Sequence, residues 1–188
     1  STATQFFTKP TAYEPDVEAT SDGKIHVAWV VKDRGGDPEV HFIQYRYKSN
    51  NTWSNVVTLG AVDVREGDAV FDLRLGVSNN GNVHVILSRL QAAGIFYVAK
   101  YGDTITEVES LGVPGVRAKH PDLALDNNYV HAVWMHQTGG GPYGIMHQDW
   151  ENKLGSAKSA LKQVGFPGGD YGCDRVRMDL DSAGFYHL

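Results

Sequence analysis

Four stretches of this chain superpose on one another: PDVEATSDGKIHVAW at 15–29, LRLGVSNNGNVHVIL at 73–87, PDLALDNNYVHAVW at 121–134 and VRMDLDSAGFYHL at 176–188. Their alignment stacks His26, His84, His131 and His187, at separations of 58, 47 and 56 residues. A recurrence of this length constrains the fold more than composition does. One supersecondary unit used repeatedly must bury its faces against its own copies.

Each unit reads as four short strands. An alternating segment (Val17–Ala19, Leu123–Leu125) runs into a polar turn: Ser21-Asp22-Gly23, Asn79-Asn80-Gly81 or Asp126-Asn127-Asn128. Gly and Asn adopt left-handed backbone angles cheaply there. A β-branched and aromatic strand follows at Lys24–Val31, Asn82–Ser88 and Tyr129–Met135. A third strand is clearest at Val40–Lys48 and Gly94–Tyr101, and a second polar tip introduces a fourth at Trp53–Leu59 and Ile105–Leu111. Lys153–Val164 comes nearest to helical periodicity, but it falls where the third unit needs its fourth strand. We read it as strand plus loop, with a short helical insert as the alternative.

The units span about 13–60, 70–112, 120–165 and 175–188. A sandwich does not repeat one pair of hairpins with the same histidine in the same place, whereas radial repetition does. The expected fold is therefore all-β, a β-propeller of four-stranded blades with about three and a half blades in this chain. Propellers close with about 4–8 blades. The count implies a fragment or a ring completed by another chain, including a second copy of this one. A lone four-bladed ring would have to close through Gln5–Pro10.

An apolar share of 41% against a charged share of 21% suits a packed domain. A net charge of −5 lacks the basic footprint of a nucleic-acid binder. No apolar run approaches a membrane span, and no secretory signal pattern is present. The single Cys173 excludes an internal disulfide and a thiolate metal cluster. No cofactor or metal is expected.

The phrase HPDLALDNNYVHAVW, with its relatives at 15–29 and 73–87, resembles the BNR (sialidase-like) β-propeller repeat superfamily, and within it the ulvan-lyase-type branch. The resemblance covers nearly the whole chain as a repeat pattern. A sialidase Asp-box is not met, because Asp22 and Gly23 are adjacent and Trp29 lies too far along. The resemblance implies an extracellular or periplasmic protein that meets a polysaccharide or other glycan. It also implies a histidine before the innermost strand and another after the second, here His120 and His136, with Tyr143 and Arg175 available to complete a catalytic set.

Loop ends on one face gather further candidates: Tyr13, Glu14, Asp33, Arg34, Asp72 and Arg89. Arg34 and Arg89 suit an acidic ligand, and turn-borne Trp53, Trp150 and Tyr171 suit stacking on sugar rings. Trp29, Trp134, Tyr45, Tyr47 and Tyr97 read as core. The four aligned histidines read as structural groups that bond a neighbouring blade, since equivalent positions spread around a ring. Three functions follow: a carbohydrate-binding or structural module, a polysaccharide lyase acting by β-elimination, and a protein-interaction scaffold.

Overall fold

The computed structural model describes residues 12–33, 39–64, 69–89, 94–126, 128–137, 141, 143–165, 175–181 and 186–187. Among them the chain is all-β and every pairing is antiparallel. The first unit holds β1 (Ala12–Ala19), β2 (Ile25–Asp33) and β3 (Glu39–Ser49), with β4 (Thr52–Trp53) and β5 (Val57–Val64) both pairing β3. The second holds β6 (Val70–Val77), β7 (Val83–Arg89) and β8 (Gly94–Tyr101), with β9 (Thr104–Ile105) and β10 (Glu109–Ser110) both pairing β8. The third holds β11 (Arg117–Leu125), β12 (Tyr129–Gln137), β13 (Tyr143–Glu151) and β14 (Lys162–Gly165) in sequence order. A last hairpin pairs β15 (Asp179–Leu180) with β16 (Tyr186–His187). Lys153–Ala160 carries no helix: it is loop with one bridge between Trp150 and Lys158, and β14 follows. The expected strand Gln5–Pro10 lies outside the described residues.

The interruption of the fourth strand follows one rule in all three units. A hydroxyl residue there returns two bonds to the third strand. Ser54 N–H donates to the Tyr47 carbonyl at 2.8 Å while Ser54 Oγ accepts from Tyr47 N–H at 3.0 Å. Thr106 does the same to Ala99 at 2.9 and 3.0 Å, and Ser159 to Asp149 at 2.8 and 3.1 Å. A side chain stands in for a ladder bond where the strand breaks.

Strand alternation places cores between successive units. Ala28, Val30, Ile43 and Tyr45 of the first unit meet Leu73, Leu75, Val83 and Val85 of the second. Ile86, Ile95, Tyr97 and Ala99 then meet Ala118, Val130, Ala132 and Trp134 of the third. Val133 and Met135 meet Val176 and Met178 of the last. The first strands lie side by side, β1 against β6, β6 against β11 and β11 against β15. His26, His84 and His131 therefore all point toward the unit that follows, and all are buried. Trp29, Trp134, Tyr45 and Tyr97 are core, as expected, whereas Tyr47 is 37% exposed.

Candidate functional site

The first strand of every complete unit is broken by the same bulge. Glu14-Pro15 stands opposite Trp29, Asp72-Leu73 opposite Leu87, and His120-Pro121 opposite Trp134. A proline is tolerated here because the bulge asks no ladder N–H of it. The leading residue of each pair is left-handed: φ is 49° at Glu14, 49° at Asp72 and 50° at His120. None is glycine, so each costs backbone strain of the kind that clusters at functional sites. By the same register Arg175 takes the corresponding place in the last unit, three residues before Met178 as Asp72 is three before Leu75.

These residues touch in series. Glu14 Oε2 accepts the Asp72 backbone N–H at 3.1 Å, and Asp72 Oδ2 lies 2.5 Å from His120 Nδ1. Two residues further on, Asp16 Oδ2 accepts the Leu75 N–H and Asp122 Oδ2 the Met178 N–H, each at 2.9 Å. In the second unit this position is Arg74, whose Nε lies 3.6 Å from Asp122 Oδ1, with Arg177 Nη1 on the same oxygen at 3.9 Å. Burial pushes the Asp122 carboxyl above the usual range, opposed by the Met178 N–H and by Arg177 and Arg74.

His120, His136 and Tyr143 reach one end of the third unit but not one face of it. His136 shares the side of Trp134, toward the second unit, whereas Tyr143 packs with Val133 and Met135 on the opposite side. Burial holds His136 below the usual imidazole range. Lys119 Nζ stands over the Tyr143 ring, 4.2 Å from its centre, and Arg175 is exposed at the same end. Arg89 also ends its strand here, with its guanidinium 5.8 Å from the Phe96 ring centre beside a cleft of about 260 Å³ shared with Asp63 and Val108. Arg34 and Tyr171 lie outside the described residues, as does the Asp33 side chain.

The expected stacking aromatics stand elsewhere. Trp53 and Trp150 sit at the opposite end of their sheets, where β3 and β13 finish. Trp53 is half-buried with Arg46 over its ring at 4.7 Å. Trp150 is 3% exposed, edge-on to Tyr97 at 4.9 Å and beneath the Lys158 ammonium at 5.0 Å, so its ring offers no open platform. It lines a cleft of about 220 Å³ with Tyr101, Glu109 and Lys158.

Sequence reasoning missed Asp16, Arg74 and His41. Asp16 and Arg74 share one column of the repeat with Asp122, two residues past the left-handed residue of each bulge, which the alignment already displays. His41 is buried and bonds the Tyr13 hydroxyl next to Glu14. Its only signal was a histidine in register with Ile43 and Tyr45 on the buried face of the third strand.

No family model matches the chain, and no curated protein matches it. Among solved structures the chain is similar to the crystal structure of a protein of unknown function from Dyadobacter fermentans DSM 18053, with 16% identity and a TM-score of 0.50. The likeness covers 78% of this chain and 41% of that one, so the matched part spans less than half of the Dyadobacter protein. It is a likeness of fold.

Proposed function

We propose that the chain contributes three blades and the start of a fourth to an extracellular β-propeller of the sialidase-like superfamily, and that the bulge end of its sheets binds an acidic glycan. Side-by-side first strands and units that each face the next support the radial arrangement. The observation that carries the binding reading is the row Glu14, Asp72, His120. Polar side chains are held there in strained backbone, repeated three times and linked to each other. Lys119, Arg89 and Arg175 supply cations at the same end for carboxylate or sulfate groups. Affinity electrophoresis in gels containing acidic or neutral polysaccharides tests this. Retardation by acidic glycans that His120→Ala and Arg175→Ala abolish is expected, and equal mobility in every gel overturns it.

A second reading, a polysaccharide lyase near the ulvan-lyase type, is favoured by the contact between His120 and a buried carboxylate. In β-elimination an imidazole takes the proton beside a uronate carboxylate. The carbon–oxygen bond to the leaving sugar then breaks, and its electron pair leaves with that oxygen. Tyr143 is the candidate acid for the leaving oxygen and Arg175 the candidate partner of the carboxylate. Ultraviolet absorbance from an unsaturated uronate product, lost in His120→Ala, is expected. No product from any acidic glycan sinks this reading while leaving the binding reading intact.

A further inference from the structure

We infer that Asp72 is the positioning residue of His120 and that Glu14 holds Asp72 in turn, so that the imidazole presented at the bulge end is set by a relay through three successive units. The inference rests on the ligand-binding reading of that end and names how its central group is prepared.

Asp72 is 5% exposed, and its own backbone N–H is fixed by Glu14 Oε2 at 3.1 Å. Its Oδ2 sits 2.5 Å from His120 Nδ1, a close contact off the line of an ideal hydrogen bond. A lone pair on Nδ1 would face the carboxylate charge at that distance, so in the neutral imidazole the proton belongs on Nδ1. Nε2 is then left with a lone pair, for a ligand hydroxyl to donate to or for a proton to be abstracted. The Phe71 ring, 6.1 Å from the imidazole centre and tilted by 56°, limits the ring from another side. Glu14, Asp72 and His120 carry matching left-handed backbone, so each side chain leaves its strand at the same point and meets the next.

A contact that merely ties two units together would not care which nitrogen carries the proton. The test is therefore the tautomer of His120, read from nitrogen-15 shifts and two-bond couplings in the full-length chain, with His120→Gln assigning the signal. The Nδ1–H form is expected in the wild type. Asp72→Asn, whose amide nitrogen donates, is expected to move His120 toward the Nε2–H form. It should also lower affinity for an acidic glycan about tenfold or, if the protein turns over, lower kcat with little change in KM. Glu14→Gln, which keeps the shape but weakens the hold on Asp72, is expected to show a mixture and also serves if Asp72→Asn fails to fold. An Nε2–H wild type overturns the inference, and so does an unchanged tautomer in the variants. Because the tautomer is read without ligand, failure of the glycan reading alone appears as an Nδ1–H histidine that binds nothing.

Discussion

His84 Nδ1 and Tyr97 Oη lie 2.6 Å apart in the seam between the second and third units, with both residues buried. Their partners settle the protons. His84 Nε2 faces the Asn152 side-chain carbonyl at 2.9 Å and must donate to it, so Nδ1 accepts from the Tyr97 hydroxyl. The hydroxyl oxygen in turn accepts from Trp150 Nε1 at 3.3 Å. The first unit repeats the pair as His26 and Tyr45, also at 2.6 Å. In the third, His147 replaces the tyrosine and stacks on His131 at 5.8 Å. The fourth aligned histidine, His187, is exposed and meets Asp181 at 3.1 Å.

Tyr97→Phe removes the donor to His84 and the acceptor for Trp150 while keeping the ring. Leaving buried polar groups unpaired costs about 1–3 kcal/mol each. Urea unfolding should show a loss of about 2–4 kcal/mol, larger than that from Tyr45→Phe, where among the described residues the Tyr45 hydroxyl has the His26 partner but no counterpart of Trp150.

Burial lowers the His84 pKa from 6.5 to about 4. His26, His131 and His147 are also held below the usual range by burial. A folded-state pKa below the unfolded one means that the unfolded chain binds protons first, so acid favours unfolding. Stability is expected to be full above about pH 6.5 and to fall as pH drops toward 4, with His84 alone accounting for about 3 kcal/mol. Urea midpoints between pH 4 and 7.5 should therefore fall less steeply for His84→Gln than for the wild type. Parallel curves would contradict the assignment.

A methyl group on Gly76 would drive into the Leu125 side chain, where β6 packs against β11. Gly76→Ala is expected to cost about 1–3 kcal/mol by overpacking. Adding Leu125→Ala should recover part of that loss, and a double-mutant cycle by urea unfolding measures the coupling.

Thr106→Val keeps the shape but takes the acceptor from the Ala99 N–H, which lies in a fully buried residue. A loss of about 1–3 kcal/mol is expected. Ser54→Ala should lose less, because Tyr47 is more exposed and water can replace the hydroxyl.

Asp122→Ala strips the Met178 N–H of its acceptor and leaves Arg74 and Arg177 without their common carboxylate. The last hairpin should open before the rest. Limited trypsin digestion is expected to cut at Arg175 or Arg177 several-fold faster than in the wild type, and an unchanged rate would show that the hairpin is held by its apolar contacts alone.

Period, turn chemistry and alternation are local properties. The repeated unit, its strands, the turns after β1, β6 and β11, and the buried tryptophans Trp29 and Trp134 were therefore readable from the amino-acid order. The bulges were half visible: Pro15 and Pro121 mark two of them, but Leu73 marks nothing, because any residue without a required N–H partner fits that place. What stands next to what across units was not readable. Asp72 and His120 are 48 residues apart, and only the side-by-side packing of β6 and β11 brings carboxylate to imidazole. Trp150 looked like a turn-borne platform until the second unit covered it. His136 and Tyr143 looked like partners until strand register put them on opposite faces. Sequence alone determined the repeated β unit and its histidine. The tertiary structure decided that His26, His84 and His131 are buried facing the next unit, with His84 bonded across the seam to Asn152, and that Glu14, Asp72 and His120 at the bulges meet in one row.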